Sequence, residues 1–191
     1  MPPTSPHVVL LRGVNVGGRN KLAMAALRER LADLGFGNPS SYIASGNVIL
    51  ESDQSTARIQ QAVQKLLTDS FDLDDELIRV PALGAAPFRS VLDDRPPGFG
   101  DQPGKFHSDA IFLIGIGTEE AMEVFSPREG VDRIWAGKGV IYSERLSAQR
   151  TKSRLSKVVA SPLYKSMTIR SWATTLRLRE LLDHREAVAG A

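Results

Sequence analysis

Between two stretches of helical period the chain sets two short runs, Ser41–Ala44 and Val48–Glu51, parted only by Ser45-Gly46-Asn47. A separator that short leaves no room for a crossover, so the two runs are expected to pair as an antiparallel hairpin. The flanking helical stretches are Lys21–Leu34, striped by Met24, Leu27, Leu31 and Leu34, and the segment after Ser55-Thr56, striped by Ile59, Val63, Leu66 and Leu67. An apolar run, His7–Leu11, precedes the first helix, and Glu76–Val80 follows the second. Asn20 stands where it can cap the first helix and Gly35 where it can end it. Strand, helix, hairpin, helix, strand is the βαββαβ order of the ferredoxin-like unit.

The same order recurs. A short helix at Ala86–Leu92 gives way to a Pro- and Gly-rich stretch, read as a linker over residues 93–105. Beyond it come a strand at Phe106–Ile114, a helix at Glu119–Phe125 capped by Thr118, and a hairpin of Val131–Trp135 and Val140–Ser143 around Gly137-Lys138-Gly139. A basic helix at Gln149–Ala160, a strand at Tyr164–Thr168 and a helix at Ile169–Asp183 complete the series. The expected fold is α+β: two ferredoxin-like halves with antiparallel sheets, residues 1–92 and 106–191, plus a C-terminal helix. In a βαββαβ unit the end of the first strand and the hairpin turn share one sheet edge. Arg12–Lys21 is therefore expected beside Ser45-Gly46-Asn47, and Gly115-Ile116-Gly117 beside Gly137-Lys138-Gly139.

Composition removes several chemistries. The chain has no cysteine, which excludes disulfides, thiolate metal sites and cysteine nucleophiles. No apolar stretch approaches the ~18 residues of a membrane span, and the N-terminus lacks the pattern of a signal peptide. A cytoplasmic protein with no membrane partner is expected. The three histidines, His7, His107 and His184, are scattered, so no metal site and no cofactor is expected. No G-x-S-x-G elbow is present.

Charge is segregated. Residues 1–144 carry 14 Lys/Arg against 19 Asp/Glu, a net of −5, whereas 145–191 carry 10 against 3, a net of +7. Between Arg145 and Arg179 there is no acidic residue. Such a segment attracts anions, or pairs with the acidic remainder of the molecule. The second basic concentration is the loop Arg12-Gly13-Val14-Asn15-Val16-Gly17-Gly18-Arg19-Asn20-Lys21, delivered from a strand end to a helix start. Gly13 and Gly18 have the Walker spacing, but Arg19-Asn20 replaces the Lys-Ser/Thr pair, so the magnesium-binding hydroxyl is missing. A looser phosphate-holding loop fits the glycines and charges; positive φ angles and close packing account for the same glycines. The candidate ligand-binding residues are Arg12, Gly17, Gly18, Arg19, Lys21, Ser45, Gly46 and Asn47, with a second basic patch at Arg154, Lys157 and Arg170. The expected ligand is nucleic acid or a phosphorylated small molecule. An enzyme with a phosphate-cradling loop and a protein-interaction module are the alternatives.

Leu11-Arg12-Gly13-Val14-Asn15-Val16-Gly17-Gly18-Arg19-Asn20-Lys21, followed by Tyr42-Ile43-Ala44-Ser45-Gly46-Asn47-Val48, resembles the domain of unknown function 1697 family, a set of mostly bacterial proteins. The resemblance extends to Ser153-Arg154-Leu155-Ser156-Lys157 and to Thr168-Ile169-Arg170-Ser171-Trp172-Ala173-Thr174. In the second stretch Ser171 and Ala173 stand where the family carries asparagine. The resemblance implies ferredoxin-like units and brings no activity or catalytic residue.

Overall fold

A computed structural model describes residues 4–74, 76 and 78–189 of the chain. These form two compact units, one of Met1–Arg89 with Leu178–Ala191, the other of Ser90–Arg177. The first unit contains β1 (Ser5–Leu10), α1 (Met24–Asp33), β2 (Gly37–Tyr42), β3 (Asn47–Ser52), α2 (Thr56–Ser70) and β4 (Ala82–Gly84). Its strands lie in the order β2-β3-β1-β4 and every pairing is antiparallel. That is the ferredoxin-like arrangement the hairpin between two helices demands. Val9, Leu11, Val48 and Leu50 present one sheet face to Leu27 and Leu31 of α1 and to Ile59, Val63, Leu66 and Leu67 of α2. Each such side chain, fully buried, contributes roughly 1.5–3 kcal/mol; the stripe of α2 is buried as expected, whereas in α1 Leu27 and Leu31 are buried and Leu34, expected in the stripe, is the C-cap and 49% exposed. Ser55 caps α2 by accepting from the Arg58 amide, and Gly35, at φ 85°, ends α1 with its amide on the Ala32 carbonyl.

Three expectations for this unit are corrected. The first hairpin strand is Gly37–Tyr42, not Ser41–Ala44, and Ile43 and Ala44 belong to the turn. The fourth strand is Ala82–Gly84, not Glu76–Val80, of which Leu77 lies outside the described residues. Pro81 has no N–H and breaks the ladder; upstream of it, among the described residues, only Arg79 bridges β1's extension, at Arg12. Helix α1 starts at Met24, not Lys21, and Asn20 does not cap it; the N-cap is Ala23, without a side-chain bond. Asn20 is committed elsewhere, as described below.

A helix, α3 (Ala85–Asp93), carries the chain from the first unit into the second. The second unit comprises β5 (Phe106–Leu113), α4 (Thr118–Met122), β6 (Asp132–Ala136), β7 (Val140–Leu146), α5 (Leu155–Val159) and β8 (Met167–Ser171), and α6 (Trp172–Ala189) leads back to the first. The order β6-β7-β5-β8, again wholly antiparallel, repeats the topology of the first sheet. Ile111, Ile141 and Met167 face Ala121 of α4 and Val158 of α5. On the other face Phe99 is fully buried and meets Trp135, Tyr142 and Trp172 edge-on at 5.0–5.9 Å between ring centroids. The stretch 93–105 thus packs on the second sheet.

The expected basic helix Gln149–Ala160 is broken. Residues Ser147–Lys152 form a 3-10 turn with Gln149 out of helical geometry. The Arg154 amide goes to Asp132 Oδ2 at 2.9 Å instead of to a helical carbonyl, so only Leu155–Val159 is α-helical. Strand β8 begins later than expected because Ser161-Pro162 starts another 3-10 turn, Pro162–Ser166, which takes up Tyr164. Thr118 lies inside α4, whose N-cap is Gly117.

Candidate functional site

The chain leaves β1 at Leu11, whose amide donates to the Gly46 carbonyl at 2.7 Å. That bond ties the glycine-rich loop to the hairpin turn, the adjacency the topology requires. Asn15, at φ 53°, reinforces it: its amide donates to the carbonyls of Ala44 at 2.7 Å and Leu22 at 3.0 Å, and its oxygen accepts from the Leu22 amide. Asn20 donates to the Gly13 carbonyl at 2.8 Å and accepts from the Asp74 amide at 2.9 Å. Two asparagines therefore shape the loop from within. At its tip Val16 and Arg19 pair across Gly17-Gly18, both at positive φ. This is the geometry of a two-residue primed turn, which glycine adopts without strain. The second unit repeats the adjacency: the Leu113 amide donates to the Gly139 carbonyl at 3.1 Å and Thr118 Oγ1 to the Gly137 carbonyl at 2.9 Å.

Of the residues singled out in the first unit, Gly17, Gly18, Arg19, Lys21 and Ser45 are exposed and Arg12 is half-buried. The Arg12 backbone pairs in both directions with Arg79, at 2.8 and 3.3 Å. Gly46 and Asn47 are buried. Asn47 serves the turn, donating to the Tyr42 carbonyl at 3.1 Å and to Ser45 Oγ at 2.9 Å. A Cβ on Gly46 would lie 2.7 Å from both Leu11 Cβ and Val14 Cγ2. Ile43, between the carbonyls held by Asn47 and Asn15, sits at φ 51° and is exposed. A β-branched residue in that conformation is strained, and the two asparagine clamps hold it there. Sequence reasoning did not find Ile43, because nothing in the residue type announces a left-handed backbone. Arg19 and Lys21 make no ion pair among the described residues.

In the second unit Arg154 and Lys157 are exposed at the start of α5. Arg170 does not join them. Its strand neighbours Met167 and Ile169 pack toward α5's side of the sheet, so alternation turns Arg170 to the opposite face. There it is 7% exposed, donates to Thr168 Oγ1 and the Ile169 carbonyl, and is pushed down to about 10 by burial.

The basic segment does line a groove, of about 380 Å³, but through other residues: the polar Arg145, Arg150, Thr151, Ser153 and Ser156 and the apolar Leu155 and Val159. Arg145 reaches Asp109 Oδ2 at 3.3 Å, and His107 Nε2 meets Asp109 Oδ1 at 3.2 Å. Burial pushes the Asp109 carboxyl up, against the opposing pull of His107 and Arg145. The acid-free run beginning at Arg145 was the available signal for this groove. What hid its members was the expected continuous helix, which places Arg150 and Ser156 on a different surface from the one the broken chain makes.

Two sheets of the same strand order, each with a glycine-bearing edge, make this an α+β protein of two ferredoxin-like units. The chain belongs to the family described as Protein of unknown function (DUF1697), whose model matches residues 5–142. The groove residues lie beyond that span. Among solved structures, the conserved bacterial protein SP0830 from Streptococcus pneumoniae is similar with a TM-score of 0.78 and 23% identity, over 94% of this chain and 99% of that one. A likeness at that identity establishes the fold alone. No match was found among curated proteins. Among the described residues no helix is long and apolar enough to cross a membrane.

Proposed function

We propose that this chain is a cytoplasmic anion-binding protein whose ligand is a nucleic acid strand or a phosphorylated small molecule. The supporting observation is the Val16–Arg19 tip, which projects Arg19, with Lys21 beside it, as exposed cations without a counter-charge among the described residues. Phosphate backbones are bound through such cations, and the affinity then falls steeply with salt. The test is fluorescence anisotropy with labelled single-stranded RNA, single-stranded DNA and duplex DNA at low and near-physiological salt. Salt-sensitive binding that weakens at least about tenfold in Arg19→Glu/Lys21→Glu supports the reading, since two phosphate contacts carry that much. A folded protein that binds none of the three at low salt refutes its nucleic-acid form.

A protein-interaction module is the second reading. Val16 and Ile43 are 64% and 52% exposed, on either side of the Asn15–Ala44 hydrogen bond, and apolar side chains beside cations suit an acidic protein partner.

A further inference from the structure

We propose that the groove of the second unit binds a phosphate monoester carrying an apolar or aromatic body. The inference deepens the anion-binding reading and rests on the basic segment, but it concerns residues that the loop of the first unit does not contain.

The groove's volume, about 380 Å³, falls within the roughly 300–1,000 Å³ of small-molecule sites. No carboxylate lines it. Two acids lie near Arg145: Asp132, opposite it in the β6–β7 register, is taken up by the Arg154 and Arg128 amides and by Ser153, and Asp109, 4% exposed, engages Arg145 and His107. That engagement fixes the Arg145 side chain while using only part of its five-donor fork; the rest is directed by a buried anchor, an arrangement that favours bidentate recognition of phosphate. Arg150 is exposed and forms no ion pair among the described residues. Thr151 and Ser156 are exposed and offer hydroxyl donors. Ser153, by contrast, is engaged: its hydroxyl accepts from the Leu155 amide and bonds Asp132.

The rest of the lining is of a different kind. Leu155 and Val159 are apolar, and Val159 is 47% exposed. Inorganic phosphate leaves those apolar side chains wet, and a sugar phosphate sets hydroxyls against them. A phosphate ester with a flat or apolar body satisfies both kinds of lining at once, its dianion on Arg145, Arg150 and the hydroxyls and its body on Leu155 and Val159. A nucleoside monophosphate is one member of this class. The groove is open to solvent, so it holds the ester without enclosing it, which suits recognition more than water-excluded chemistry.

The test uses the full chain, labelled with nitrogen-15, and phenyl phosphate as the minimal ligand, with inorganic phosphate and phenol as its two halves. Phenyl phosphate is expected to shift amide resonances of residues 145–159 saturably. Inorganic phosphate should act at the same residues about tenfold more weakly or worse, and phenol should not bind. Arg150→Glu, at an exposed position, should cut the affinity at least about tenfold, or 1.4 kcal/mol. Val159→Ser should weaken phenyl phosphate several-fold and leave inorganic phosphate unchanged. The proposal is overturned if phenyl phosphate produces no saturable shift at millimolar concentration, if phenol binds as well, or if Arg150→Glu binds like wild type. Shifts confined to residues 12–21 overturn the groove and leave the loop reading standing. Retained RNA binding with an unresponsive groove does the same.

Discussion

Replacing Gly46 by alanine tests the joint between the glycine-rich loop and the hairpin turn. Two costs add. Gly46 sits at φ 79°, where an L side chain costs about 1–2 kcal/mol. The new Cβ would also stand 2.7 Å from Leu11 Cβ and Val14 Cγ2 and 3.2 Å from the Leu11 carbonyl oxygen. Both side chains are buried, so neither can swing into solvent, and overpacking of this kind costs about 1–3 kcal/mol. The sum is roughly 2–5 kcal/mol. Gly17→Ala is the internal control: its φ is also positive, at 57°, but nothing lies within 4 Å of its Cβ, so only the backbone cost of about 1–2 kcal/mol applies. Both tryptophans, Trp135 and Trp172, lie in the second unit, so the assay is urea unfolding followed by far-ultraviolet circular dichroism, supported by hydrogen exchange at the Leu11 amide. Gly46→Ala should open that amide and lose more stability than Gly17→Ala. Equal losses in the two variants would refute the steric argument.

Ile43→Asn should raise stability by about 0.5–1 kcal/mol, because asparagine tolerates the left-handed conformation and Ile43 surrenders little burial; a chemical melt of the first unit checks it. Gly100→Ala should unfold the second unit more readily, since its Cβ would come within 2.5 Å of Trp172 Nε1, and tryptophan emission reports the change. Asp109 and Asp132 should give opposite pH slopes. Burial raises Asp109, so the folded chain holds its proton to higher pH than the unfolded one, and that residue's contribution falls as pH rises from the ordinary aspartate value to the raised one. At Asp132 burial is outweighed by hydrogen bonds from the Arg154 amide, Ser153 and the Arg128 amide and by the charge of Arg145, which together lower it. Its contribution is present above the ordinary aspartate value and is lost as pH falls through the lowered one. Urea midpoints of Asp109→Asn and Asp132→Asn across the acid range should diverge from wild type in opposite senses.

What the sequence disclosed was governed by period. The stripes of α1 and α2 and the hairpin turns followed from spacing alone, and with them the strand order of both sheets. The loop–turn adjacency followed from that order. Breaks set by single hydrogen bonds did not show. Asp132 takes the Arg154 amide from across 22 residues and splits what composition presents as one basic helix. Arg170 belonged to the basic patch by charge but to the far sheet face by alternation, which only the register of β8 reveals. Asn20 had the residue type of a cap, and nothing local shows that the Gly13 carbonyl and the Asp74 amide claim it. Asn47 was a ligand candidate because its turn is expected beside the basic loop; here the turn itself engages the amide.

The first unit is discontinuous in sequence, and this sets an order on synthesis. Its last piece holds Asp183 and Glu186, both on Arg89 at 2.5–2.6 Å, and Arg185, which donates to Ser40 at 2.6 Å and faces Glu51 at 3.8 Å. A ribosome releases these residues only after the whole second unit has been made. The unit that begins first is therefore finished last, and it spends the interval with Arg89, Ser40 and Glu51 awaiting partners 94 to 145 residues further on. A stop codon after Arg177 would spare the second unit's sequence and unmake the first.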